Sequence, residues 1–223
     1  MEAINFMIPV ITIDGPASSG KGTVAKLLAK KFGFHYLESG AIYRALGLWV
    51  YRNYGDTLVG ENQVIELVST MKLEFTDLGV ILGGENVTDA LREEFVGMLA
   101  SRYSSIPEVR ARLLQFQRDF AKEPGLVTDG RDMGSVVFPA AKLKVFLTAS
   151  AEKRAERRYK QLQLFNKSVT IEAILQDIIA RDEQDSNRST APLSYDSSFK
   201  VLDNSDLTIE ETIAVISEWY QKS

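Results

Sequence analysis

The sequence predicts an α/β fold: a central, mostly parallel five-stranded sheet flanked by helices, with a small antiparallel β insertion and a helical lid. Three observations carry this prediction. Short β-branched or apolar runs end in small or acidic residues and lead into stretches of helical period. One region switches from that period to strict alternation and back again. At 223 residues, 45% of them apolar, the chain can fill one α/β core with an insertion, and two independent domains would be a squeeze.

The first element is the strand Ile8 to Ile13. It runs into Gly15-Pro16-Ala17-Ser18-Ser19-Gly20-Lys21, which fits G-x-x-x-x-G-K, the phosphate-binding loop signature. Glycines let such a loop curl so that successive N–H groups face one anion, and Lys21 adds a fixed positive charge. A helix opening near Lys21, with Val24, Leu27, Leu28 and Lys31-Phe32 along its stripe, turns its positive dipole end to the same place. Strand, loop and helix in that order predict a P-loop NTPase fold with a nucleotide phosphate held by Gly15 to Thr23. Gly22 stands where the general motif has Ser or Thr, and Thr23 follows, placed to approach the phosphates or a metal-bound water. The GKGT ending resembles the nucleoside monophosphate kinases and not the GTPases.

Phe34 to Leu37 reads as a second buried strand, broken by Glu38-Ser39-Gly40 before a helix from Ala41 to about Tyr51. Parallel pairing through right-handed crossovers puts both loops at the carboxyl edge of the sheet, so Ser39, Tyr43 and Arg44 fall near the phosphate loop. Tyr43 and Arg44 serve equally well as a core aromatic and a solvated charge. A helix over Gln63 to Met71 is followed by alternation in Leu73–Thr76, Gly79–Leu82 and Gly84–Val87, with turns at Asp77-Leu78-Gly79 and Gly83-Gly84. Such a meander inside a βα series is an insertion of the kind placed over a site. Asp89 is a cap for a helix from Ala90 to about Arg102, and Ser105-x-x-Glu108, with Pro107 inside, is a capping box for a helix to about Ala121.

Gly125 to Asp129 is an apolar strand ending in an acid, the Walker B arrangement, in which the carboxylate faces Mg²⁺ on nucleotide phosphates. Arg131 and Asp132 in Gly130–Gly134 put both signs of charge at the same edge, which is costly without a ligand. After a strand at Lys144–Leu147 comes a charged helix from Ser150, with Arg154 and Arg158 one turn apart. It reads either as a solvated face or as a lid that swings arginines onto transferring phosphates. The helix from about Ile171 turns Ile174, Leu175, Ile178 and Ile179 to the core and ends with Arg181, Asp185 and Arg188 on one stripe, an ion-pair ladder or a clamp for phosphate and base. Phe199–Asn204 is the last strand, and Thr208-x-x-Glu211 caps the closing helix to about Tyr220.

Composition narrows the function. A net charge of −4 gives no broad footprint for nucleic acid. The chain has no Cys, hence no disulfide, thiolate metal site or cysteine nucleophile, and its single His, His35, leaves little room for histidine catalysis. No stretch approaches the ~20 apolar residues of a membrane helix, and the N-terminus lacks a signal pattern, so a cytoplasmic protein is expected. A self-contained core with a mobile lid favours a monomer. Lys21, Asp129 and the arginines point to phosphoryl transfer over hydrolysis, because an acceptor that is itself a phosphate is already an anionic nucleophile and needs no base. A slow or silent nucleotide-binding switch is the alternative from another class. A kinase of UMP, dTMP or AMP is the alternative within this one.

IDGPASSGKGT, ESGAIYRALG, VTDGRDMGSVVFP and ARDEQDSNRSTAPL, in this order and spacing, resemble the bacterial cytidylate kinases over nearly the whole chain. Glu38 departs from that pattern, where Asp is more usual. The resemblance implies transfer of the γ-phosphoryl group of ATP to CMP or dCMP with Mg²⁺, a monophosphate-binding region over 39–122 with its β insertion at about 72–88, and a lid over 150–168. It implies that Gly15 to Thr23 hold ATP, with Asp129 reaching Mg²⁺ through water. Lys21, Asp129, Arg131, Arg154 and Arg158 would be catalytic. Ser39, Tyr43, Arg44, Arg131 and Asp132 would line the monophosphate pocket, with Asp129 beside them. Arg181, Asp185 and Arg188 would bind the CMP phosphate, sugar and base, and Ser101 and Arg110 match positions that contact cytosine. Asp132 or Asp185 can accept from the cytosine N4 amino group, and each hydrogen bond left unmade against the wrong base costs ~1–3 kcal/mol.

Overall fold

The structure, a computed structural model, describes residues 8–57, 59–76, 78–163, 169–188 and 190–223. The chain divides into two compact units: residues up to Leu37 with Phe120–Ser223, and Glu38–Asp119. In chain order, β1 (Val10–Asp14), α1 (Lys21–Phe32) and β2 (His35–Glu38) come first. The second unit carries α2 (Ser39–Tyr54), α3 (Glu61–Thr70), β3 (Leu73–Thr76), β4 (Gly79–Leu82), β5 (Glu85–Asn86), α4 (Glu94–Tyr103) and α5 (Pro107–Arg118). The chain then returns to the first unit with β6 (Leu126–Gly130), β7 (Leu143–Thr148), α6 (Ala151–Gln163), α7 (Ile171–Asn187), β8 (Lys200–Asp203) and α8 (Ile209–Gln221).

Every residue of β1 and β6 is buried, the pattern of strands covered on both faces. The sheet order is β2-β6-β1-β7-β8, with β1 parallel to β6 and β7, and β7 parallel to β8. In register, Ile13 faces Asp129 and Asp14 faces both Gly130 and Phe146, so the carboxyl ends of the central strands finish side by side. Loops leaving such ends form the ligand crevice of an open α/β sheet. Ile11, Ile13, Val24, Leu28, Val145, Leu147 and Ile216 close the core between the sheet, α1 and α8. Each of these side chains contributes roughly 1.5–3 kcal/mol by leaving water. A satellite cluster joins α6 and α7 through Ala155, Ile174 and Ile178. The apolar stripe of α7 thus packs on α6 and not on the main core, and Ile179 is exposed. Leu27 is also exposed, while Ala25 and Ala29 fill the buried face of α1 in its place.

In the second unit, β3, β4 and β5 form the expected antiparallel sheet, turning at Gly83-Gly84 with positive φ at both, as a two-residue hairpin turn requires. Gly47 lets α2 approach α4 closely, since a Cβ there would lie 2.9 Å from the Leu99 Cβ. Four local expectations need correction. Glu38-Ser39-Gly40 is no loop, because α2 starts at Ser39 with Glu38 as an extended N-cap. Residues 90–102 are not one helix: Ala90–Arg92 forms a 3-10 turn, Glu93 is extended with ψ 143, and α4 begins after it. Asp89 pairs with Arg92 and does not cap. The Ser105 box does not form, since Ile106 is the N-cap, the Ser105 hydroxyl donates to the Arg102 carbonyl and Glu108 pairs with Arg112. The Thr208–Glu211 box does form on α8. Asp77 of the expected turn, residues 164–168 of the expected lid and the first seven residues lie outside the described residues. No helix among those described is long and apolar enough to cross a membrane.

Candidate active site

The loop between β1 and α1 is shaped by its small residues. A Cβ on Gly15 would come within 2.1 Å of the Leu147 carbonyl oxygen, so the loop can lie on β7 only with glycine there. Ser18 and Gly20 adopt left-handed φ of 61° and 87°, curling the backbone into the concave form that receives anions. No side chain caps the first turn of α1, leaving its amide groups and dipole for a ligand. Lys21 is buried, and its Nζ donates to the Pro16 carbonyl at 3.0 Å. Burial, reinforced by the positive charges of Arg131 and Arg181, pushes its ammonium down to about 7, against the pull of Asp129 and Asp185. A second set of bonds holds the loop from outside: the Ser19 carbonyl accepts from Arg157 at 3.2 Å and from Asn204 at 3.1 Å, and the Ala17 carbonyl accepts from Arg154 at 3.2 Å.

Asp129, buried at the end of β6, accepts from the Tyr36 hydroxyl at 2.9 Å. A Cβ on Gly22 would lie 3.8 Å from its other carboxylate oxygen, so the absence of a side chain at 22 keeps the space between loop and carboxylate open. Among the described residues no three His, Cys, Asp or Glu side chains gather into a metal cage. One carboxylate facing a phosphate loop does suit Mg²⁺, which retains waters and takes its remaining ligands from phosphate oxygens.

Two residues beyond Asp129, Arg131 donates through Nε to Asp185 on α7 at 2.6 Å and through a terminal nitrogen to the Gly130 carbonyl at 3.3 Å. Arg188 lies 3.9 Å from the same carboxylate, and Arg181 acts on it electrostatically. Burial alone would lift the Asp185 carboxyl, yet Arg131, Arg181 and Arg188 together hold it below the usual carboxylate range. The stripe Arg181, Asp185, Arg188 is therefore an organised cluster with Arg131, and Lys21 feels two of its arginines. Buried Asp132 immediately precedes a π-helical turn over Met133–Val137, which periodicity did not anticipate.

A family model described as cytidylate kinase matches residues 11–222. The chain belongs to the cytidylate kinase family. Its relatives include the cytidylate kinase of Neisseria meningitidis serogroup A, 50% identical over 96% of this chain and 97% of that protein. The cytidylate kinase of Polynucleobacter asymbioticus is 49% identical over 97% of this chain and 98% of that protein. A solved structure of an uncharacterized protein from Eubacterium ventriosum shares the fold, with TM-score 0.55 at 15% identity over 96% of this chain and 99% of that one. As a member of that family the chain is a phosphoryl-transferring enzyme, a kinase.

The arginines of α6 behave differently from one another. Arg154 is buried and bound by both terminal nitrogens to Asp182 of α7, with its Nε on the Ala149 carbonyl. These bonds, with the one to the Ala17 carbonyl, tie it to the loop and to α7. Arg158 is half-buried and donates a long 3.4 Å bond to Gln161. Arg157, on the adjacent face, carries the bonds to Ser19 and Asn204.

In the second unit, Arg44 is no solvated charge: it donates to the Leu91 carbonyl at 2.8 Å and to that of Glu93 at 3.5 Å, tying α2 to the start of α4. Tyr43 is buried, with the Arg110 guanidinium 5.5 Å from its ring centre. Arg110 also donates to the Ser104 carbonyl, and the Ser104 hydroxyl donates to that of Ser101, so Ser101 and Arg110 meet through one residue. Ser39 is buried at the first turn of α2. Asp14, Tyr36, Asp182 and Asn204 were not legible as site residues. Their partners lie 28 to 185 positions away. Only the polarity of Asp14 at the end of an apolar run offered a signal.

Proposed function

We propose that this enzyme transfers the γ-phosphoryl group of ATP to CMP or dCMP by direct in-line displacement, giving ADP and CDP or dCDP. The observation that supports this reading best is the gathering of Lys21, Arg131, Arg181 and Arg188 around Asp129 and Asp185 at one edge of the sheet. Positive charge in that number suits two phosphate-bearing substrates and the charge that develops between them. Gly15 to Thr23 and Lys21 would hold the ATP phosphates. Asp129 would hold Mg²⁺ through water, and the ion would supply charge neutralisation on the phosphates. Arg131, Arg181 and Arg188 would take the acceptor phosphate, with Asp132 or Asp185 accepting from the cytosine N4. Ser39, Tyr43, Arg44, Ser101 and Arg110 are a second set of acceptor residues, to be tested by substitution.

The deciding experiment is ADP formation from Mg·ATP with CMP, dCMP, UMP, dTMP and AMP offered singly, and with no acceptor. Turnover concentrated on CMP and dCMP is the expected result. ADP formation indifferent to the acceptor would make the protein an ATPase or a nucleotide-regulated switch. A second outcome follows from Lys21, whose ammonium burial pushes down to about 7. A bound polyphosphate raises that value, so the folded protein takes up a proton when ATP binds above pH 7. Calorimetry at pH 8 in two buffers of different ionisation enthalpy should register this uptake. Lys21→Arg, which stays charged, should abolish it.

A further inference from the structure

Asp14 is the last residue of β1 and has no exposed surface. One of its carboxylate oxygens accepts from the Met133 amide at 2.8 Å and the other from the Gly134 amide at 2.7 Å. These amides open the π-helical turn that directly follows Arg131 and Asp132, and the Asp132 carbonyl closes the same turn by accepting from Val136 and Val137. The turn is pressed onto the sheet there, since a Cβ on Gly134 would meet the Thr12 hydroxyl at 2.6 Å and the Phe199 ring at 2.8 Å. A full carboxylate in this place is costly. Burial drives its pKa up to about 7 against the two amide bonds, and Asp132 and Asp129 add like charge. Two buried amides need only two acceptor lone pairs, which a neutral side chain could help provide at lower cost. A charged acceptor gives shorter, stronger and more directional bonds.

We propose that Asp14 is a positioning residue for acceptor recognition: by gripping the Met133 and Gly134 amides it sets the direction in which Arg131 and Asp132 leave the sheet edge. Since Asp14 also precedes Gly15, one side chain fixes the start of the phosphate loop relative to the acceptor-side segment. The inference rests on the reading of Arg131 and Asp132 as acceptor ligands. Misplacing such a pair by a fraction of an ångström acts on the substrate they hold.

The test is Asp14→Asn beside Asp14→Glu and Asp132→Ala, each assayed for KM of CMP, KM of ATP and the CMP-over-UMP ratio, with a thermal melt. Asparagine turns an N–H toward one of the two amides, and glutamate keeps the charge but displaces it. The expected result for both Asp14 variants is a KM for CMP raised roughly 10-fold or more, a narrowed CMP-over-UMP ratio and a KM for ATP within about 3-fold of wild type. Asp132→Ala should reproduce the pattern more strongly. If Asp132→Ala loses CMP affinity and preference while folded Asp14 variants keep them, the inference about Asp14 alone is overturned. Unchanged recognition in Asp132→Ala would remove the reading beneath it and the inference together. Equal loss toward both substrates, or failure of both Asp14 variants to fold, would assign Asp14 to stability and overturn the proposal as well.

Discussion

Lys21→Met lowers kcat by about 10²–10³-fold, the usual consequence of removing one preorganised positive group from a charge-stabilising site. The melting temperature of the ligand-free protein does not fall. Both halves of this expectation come from the same environment. The Lys21 ammonium is buried, gains one bond to the Pro16 carbonyl, and is opposed by Arg131 and Arg181. Its charge is therefore a burden on the empty fold and an asset once polyphosphate arrives. Methionine retains most of the apolar stem, so packing against the loop survives. Steady-state rates with Mg·ATP and CMP, set beside melts without ligand, check both. A kcat within a few-fold of wild type would take Lys21 out of catalysis, and a collapsed melt would make it a structural residue.

Asp182→Ala destabilises the fold by about 3 kcal/mol, the low end for a buried pair that loses one partner, because the Asp182 side chain keeps 27% of its exposure. For a chain of this size that is a fall of roughly 6–12 °C in melting temperature. The physical cause is Arg154, a residue only 5% exposed, whose guanidinium would retain the carbonyls of Ala149 and Ala17 but lose its hydrogen-bonded carboxylate. Arg154→Met together with Asp182→Ala removes the stranded charge and should recover part of the loss, giving a clear coupling in a double-mutant cycle. Denaturant titration of the four proteins measures it. A loss below about 1 kcal/mol would reduce the pair to the standing of an exposed surface bridge. The same variants bear on the loop, since Arg154 is the donor to the Ala17 carbonyl.

Features legible from the sequence share a short range. Gly15, Gly20 and Lys21 announce the phosphate loop because a curled loop, a close approach to a strand and a fixed charge each demand one residue type at one position. Gly83-Gly84 announces its hairpin for the same reason, and Thr208 with Glu211 caps α8 through bonds three residues apart. The Ser105 box has the same local chemistry and fails. Ile106 takes the cap position and the Ser105 hydroxyl turns back to Arg102, so a motif only offers a conformation that the chain nearby is free to decline. Charged runs were the least legible. In Arg181-Asp182-Glu183-Gln184-Asp185, helical spacing singled out Arg181 and Asp185, but nothing local distinguishes Asp182, which holds Arg154, from exposed Glu183.

By itself the sequence determined the α/β class, the position of the phosphate loop, the acid ending β6 and the family, because backbone propensity, period and loop chemistry act over a few residues. The tertiary structure alone decided the use of the charges. Asp14 meets amides 119 and 120 residues away, Tyr36 meets Asp129 across 93 and Arg131 meets Asp185 across 54. Those pairings exist only once the strands lie in the order β2-β6-β1-β7-β8, which brings the carboxyl ends of distant segments to one edge. There burial disfavours the charged forms of Lys21 and Asp14 and pushes both toward 7, while the guanidinium groups of Arg131, Arg181 and Arg188 hold Asp185 down against its own burial.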